Sequence, residues 1–232
     1  MKKLTKTLLL VLCAILLVAG SVLGTVAFLT DSKTVTNTFT VGNVQIKLDE
    51  ANLNKETGAT ESGRTEKGNE NVLLIPGRTI GKDPTVTVLQ NSEKCYVRMK
   101  VQVANLNDLK AALTDAKYYG ADGVFLLQNL CVDANGNNTW DADCWKFAGF
   151  DSATDTYEFR YKEAVAKNTE GNTPLDALFT AVTVPGADIT SDNIAKLAGV
   201  RIIVTAEAIQ AEGFVDANGK TAEQNAWMAF GG

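Results

Sequence analysis

Apolar and polar residues alternate along much of this chain. The clearest stretch puts Cys95, Val97, Met99, Val101 and Val103 on one face, with Tyr96, Arg98, Lys100 and Gln102 on the other. A period of two fits a strand whose faces meet different surroundings, and it does not fit a helix. Val44, Ile46 and Leu48 alternate in the same way with Gln45, Lys47 and Asp49, as do Tyr157, Phe159 and Tyr161 with Glu158, Arg160 and Lys162. Thr85–Leu89, Val124–Val132, Leu178–Val184 and Arg201–Gln210 are further strand candidates, while Pro76-Gly77 and Pro185-Gly186 mark turns.

Helical spacing appears in three places. Leu106, Leu109 and Leu113 recur within Asn105–Tyr119; Thr190-Ser191-Asp192 can cap a helix running through Ile194 and Leu197 to Gly199; and Thr221–Phe230 reads as a terminal helix that buries Trp227 and Phe230. From Glu50 to Asn71 apolar residues nearly vanish and Gly58, Gly63 and Gly68 punctuate the run, which predicts an external loop. Strands joined by turns, with helices only as insertions, predict an all-β chain folded as an antiparallel β-sandwich.

The first 27 residues are different in kind. Lys2, Lys3 and Lys6 precede an uncharged stretch from Leu8 to Ala27, and Thr25 and Ala27 supply the small residues that a signal peptidase requires. The pattern predicts a signal helix over 1–27 with cleavage between Ala27 and Phe28. An uncleaved membrane anchor is the other reading, because about 20 apolar residues span a bilayer. Both readings predict export. The organisation expected is a signal peptide (1–27), an extended segment (28–42) rich in Thr and Val, and a sandwich domain (43–232).

Composition narrows the chemistry. The full chain carries −5, and the part after the leader has 19 basic against 27 acidic residues. This balance argues against nucleic acid, whose phosphates call for Lys and Arg. The chain has no histidine, which excludes Ser-His-Asp and Cys-His catalysis and the two-histidine zinc motif. No enzyme is expected. Cys13 lies in the leader, so Cys95, Cys131 and Cys144 remain and at most one internal bridge can form.

Several stretches together resemble the TasA/camelysin family of exported Gram-positive proteins. They are Gly24-Thr-Val-Ala-Phe-Leu-Thr-Asp31, Asn37-Thr-Phe-Thr-Val-Gly42, Ile75-Pro-Gly-Arg-Thr-Ile80 with Lys82-Asp-Pro-Thr-Val86, Tyr96-Val-Arg98, and Thr205-Ala-Glu-Ala-Ile-Gln-Ala-Glu-Gly-Phe214. The resemblance implies a jelly-roll-like sandwich, a leader cut by a SipW-type signal peptidase, and secretion to the cell surface or a biofilm matrix. It also implies self-association, since some relatives form fibres by lending an N-terminal strand to the next subunit. Residues 28–41 suit that role, and pairing within their own domain is the alternative. Some relatives are described as metallopeptidases, but this chain lacks the usual zinc ligand.

Two local features remain. Asp133, Asn135, Asn137 and Asp141 alternate as oxygen ligands do in a calcium loop, but Gly136 sits two places early and Cys144 stands where the closing acid belongs. A plain hairpin turn explains the same residues. A calcium- or polysaccharide-binding monomer is therefore the alternative function, with Trp140 and Trp145 beside the loop. Cys131 and Cys144 flank it, and a bridge there would close a loop of about 14 residues, contributing about 3 kcal/mol.

Overall fold

The computed structural model describes residues 43–69, 75–183, 185–189 and 191–231. The predicted signal helix, its cleavage position at Ala27 and Phe28, and the segment 28–42 lie outside the described residues.

Among the described residues ten strands follow in chain order: β1 (Ile46–Leu53), β2 (Thr60–Thr65), β3 (Thr79–Gly81), β4 (Thr85–Val88), β5 (Cys95–Ala104), β6 (Trp145–Asp151), β7 (Thr156–Tyr161), β8 (Thr173–Pro174), β9 (Ala181–Thr183) and β10 (Arg201–Gln210). Three short α-helices accompany them: α1 (Leu106–Ala112), α2 (Ser191–Ile194) and α3 (Ala222–Ala229). The strands form two four-stranded sheets, ordered β2-β1-β4-β8 and β10-β5-β7-β6, and a separate β3-β9 ribbon. Every pairing among these described strands is antiparallel. The fold is an all-β antiparallel sandwich, as the alternation predicts.

One continuous core joins the two sheets. Val86 and Val88 of β4 and Leu53 of β1 belong to the same buried cluster as Val97, Met99 and Val101 of β5 and Phe159 of β7. Each such side chain contributes roughly 1.5–3 kcal/mol by leaving water. β5 and β10 pair without a break from Cys95↔Gln210 to Ala104↔Arg201, so β5's inward positions face Ala208, Ala206, Val204 and Ile202.

Part of the outer face of this second sheet, around Tyr96, Arg98 and Ile209, is covered by α3. Thr221 caps the helix: its hydroxyl accepts the Gln224 N–H, and the Gln224 side chain accepts the Thr221 N–H. Trp227, Ala226 and Ile209 form a small satellite core packed by Tyr96, Phe214 and Phe230. Arg98, on the polar face of β5, is only 1% exposed. Its guanidinium lies 4.5 Å from the Trp227 ring centre, and it pairs with Glu207 at 2.5 Å and Glu158 at 3.1 Å.

Three expectations need correction. Glu50–Asn71 is not one loop: β1 runs on to Leu53, and Thr60–Thr65 pairs with it as β2, with a register shift between Ala51 and Leu53. Val124–Val132 is not a strand. It holds a 3-10 turn, Leu127–Leu130, whose Leu127 and Leu130 both point into the core. The helix expected over Asn105–Tyr119 stops at Ala112, and a 3-10 turn follows at Ala116–Tyr118. The two Pro-Gly turns meet, and a Cβ at Gly186 would come within 3.0 Å of the Gly77 backbone.

Candidate functional site

The four oxygen ligands proposed for calcium do not act together. Asp133 Oδ1 accepts the N–H groups of Asn135 and Asn137, and Oδ2 accepts the Asn137 amide. These bonds hold the Asp133 carboxyl below its ordinary range. Val132 bridges to Asn138, and Gly136 takes a φ of 80°, so the segment is a tight hairpin turn. Asp141 does different work: its Oδ1 accepts the N–H groups of Asp143 and Cys144 at the turn entering β6.

Cys131 and Cys144 are not bridged; both are free, as is Cys95. Cys131 is buried at the end of its 3-10 turn and donates to the Leu127 carbonyl, while Cys144 donates to Asp176 Oδ2 at 3.2 Å. The turn thus sends the two thiols to different partners. Burial pushes the Cys131 thiol up to about 12. Desolvation, then the hydrogen bond to Asp176, takes Cys144 to about 11. Neither is a thiolate nucleophile at neutral pH.

Asp141, Cys144 and Asp176 bring their ligand atoms within 4.8 Å of one another. Tyr161 also donates to Asp176 Oδ2, and the Trp145 indole donates to the Asp176 carbonyl. Each member also has a protein partner. Asp176 lies 32 residues from Cys144, and no local pattern announces the meeting.

Comparison with protein-family models, with curated proteins and with solved structures finds no match.

A second polar centre lies on the first sheet. Asp49 and Glu50 are buried, at 7% and 6% exposure. Arg64 of β2 spans Asp49 Oδ1 at 2.5 Å and Asp83 Oδ2 at 2.6 Å, and also reaches the carbonyl oxygens of both residues. Asp83 Oδ1 accepts the Ala51 N–H. Next to this clasp, Glu50 Oε2 pairs with Lys82 Nζ at 2.5 Å, and Glu50 Oε1 accepts both the backbone N–H and the side-chain amide of Asn69. Glu50, Arg64 and Asn69 come from the segment read as loop, while Asp49 falls on a predicted strand and Lys82 and Asp83 after the Pro76-Gly77 turn, so no one pattern joins them.

The sheet edges are the remaining surface. β2 is polar throughout, β8 is two residues long and contains Pro174, and β6 carries a bulge between Phe147 and Gly149. Each device discourages strand addition. Among the described residues β10 stands last in the order of its sheet, runs ten residues, and holds an unbroken register with β5.

Proposed function

We propose that this protein is an exported assembly subunit of a Gram-positive cell surface or biofilm matrix. In this reading a SipW-type signal peptidase cuts between Ala27 and Phe28, and residues 28–41 of one copy pair with a sheet edge of the next. The observation that carries it is the antiparallel sandwich itself, whose sheets are of the kind to which an extended segment can add as a further strand. The β-branched composition of 28–41 makes it a fitting strand, and the family resemblance of the leader supports the export route.

Mature protein starting at Phe28 is the material for the test, viewed by electron microscopy and size-exclusion chromatography. Polymers that disappear when residues 28–40 are deleted are expected. Fibres that assemble unchanged after the deletion overturn strand exchange, and a mature protein that stays monomeric overturns assembly.

A further inference from the structure

Glu50, Asn69 and Lys82 hold a nucleophile and a leaving group on the two oxygens of one buried carboxylate. We propose that this chain closes an intramolecular isopeptide bond between Lys82 Nζ and Asn69 Cγ, with Glu50 carrying the protons. The inference is independent of the assembly reading.

The orientation of Asn69 is fixed by its neighbours. Its Oδ1 accepts the Leu53 N–H at 2.9 Å, so Oδ1 cannot be the amide nitrogen. Nδ2 therefore faces Glu50 Oε1 at 2.9 Å and the Ala51 carbonyl at 2.7 Å. Lys82 Nζ sits on the other oxygen of Glu50 at 2.5 Å, and the lysine side chain is 19% exposed. The three side chains come from β1, the segment after β2 and the residue after β3, and the fold gathers them around a carboxylate that is 6% exposed. This gathering makes the reaction unimolecular.

Each group has a chemical task. Glu50 takes a proton from the Lys82 ammonium, and the freed amine attacks Asn69 Cγ. Negative charge then gathers on Asn69 Oδ1, where the Leu53 N–H already points. Glu50 next passes protons to Nδ2. The Nζ–Cγ bond forms and the Cγ–Nδ2 bond breaks. Two protons leave the lysine nitrogen, and both depart with Nδ2 as ammonium. No electrons change hands, and no cofactor or co-reactant enters the balance.

The bond would sit where burial does least. β2 is polar along its length, and the three cysteines among the described residues are free. A covalent link from Asn69 to Lys82 would fasten the outer edge of the first sheet without needing an oxidising environment.

The test is mass spectrometry of the purified full chain, intact and after trypsin. The expected result is a mass lower by about 17 Da, the ammonia lost, as a covalent modification. Trypsin should also give a branched peptide in which residues 68–78 are joined through Asn69 to Lys82 of residues 79–94, uncut after Lys82. Lys82→Arg keeps a cation beside Glu50 and should show the unshifted mass, with circular dichroism like the parent's. Glu50→Gln should also remain unlinked; if it does not fold, the parent and Lys82→Arg decide the matter. Linear peptides of ordinary mass from the parent overturn the proposal. So does a 17 Da loss confined to a linear peptide, which would mean Asn69 had cyclised on its own backbone.

Discussion

The two sheets are held by different physics. The β10-β5-β7-β6 sheet rests on an apolar inner face and on an outer face that α3 covers around Arg98 and Ile209. In the β2-β1-β4-β8 sheet, β4 supplies Val86 and Val88 to the core, but its outer half depends on Asp49, Glu50, Arg64, Lys82 and Asp83. Apolar contact is non-directional and tolerates small shifts, whereas a charge clasp works only in one geometry. The first sheet therefore has an edge whose order depends on a few specific contacts, and the second an edge that is ordered through the core.

Four substitutions probe that contrast. The largest loss is expected from Phe159→Ala. It empties a site 1% exposed between the sheets and should cost about 3–5 kcal/mol in urea unfolding, as large core truncations do. A loss below about 1 kcal/mol would mean that the shared core is not where stability lies. Arg98→Ala comes next. It removes the buried cation shared by Glu158, which keeps Arg160, and Glu207, which keeps Lys100, so about 1.5–3 kcal/mol should be lost, with Trp227 fluorescence shifting toward that of an exposed indole. An unchanged emission would separate α3 from the ion group beneath it.

Arg64→Ala should do less to the whole and more to the edge. The side chain is 37% exposed, so the global cost should stay at or below about 1 kcal/mol. Amide exchange across β2 should accelerate while β5 stays protected; equal acceleration in both would erase the distinction between the sheets.

The smallest effect is expected outside both sheets, at Asp188. Lys117 foremost, then Tyr118, hold its carboxyl below the ordinary range. A depressed folded pKa gives stability that is present above the unfolded value, near 3.9, and lost as pH falls through the folded value. Asp188→Asn should therefore cost less than about 1 kcal/mol at pH 7 and progressively less as the pH falls below the unfolded value, compared by thermal melts. A penalty that persists in acid would assign Asp188 a packing role instead.

What could be read from the sequence follows the same division. Arg201–Gln210 is β10 to the residue, β5 ends one residue beyond the last alternating valine, and the tail helix lies inside Thr221–Phe230, because burial on one face imprints a period. β2 left no imprint: Thr-Glu-Ser-Gly-Arg-Thr has nothing to bury, and it pairs because β1 and Arg64 hold it. β6 was hidden by its bulge, which returns Phe150 to the face of Trp145 and Phe147 out of phase. The apolar run at Val124–Val132 misled because Leu127 and Leu130, three apart, suit a 3-10 turn as well as a strand's hydrophobicity does. The polar centre at Glu50, Asn69 and Lys82 was invisible for a simpler reason: pairs 19 and 32 residues apart carry no spacing that chemistry dictates.

The uneven treatment of the sheet edges bears on valence. A unit that can accept a neighbour on every edge makes a branched mass whose size is set by concentration. Under the proposed strand exchange each unit accepts one neighbour's segment and offers its own to one more. Its products would be threads with two distinguishable ends, and their length would be governed by how ends are started and stopped.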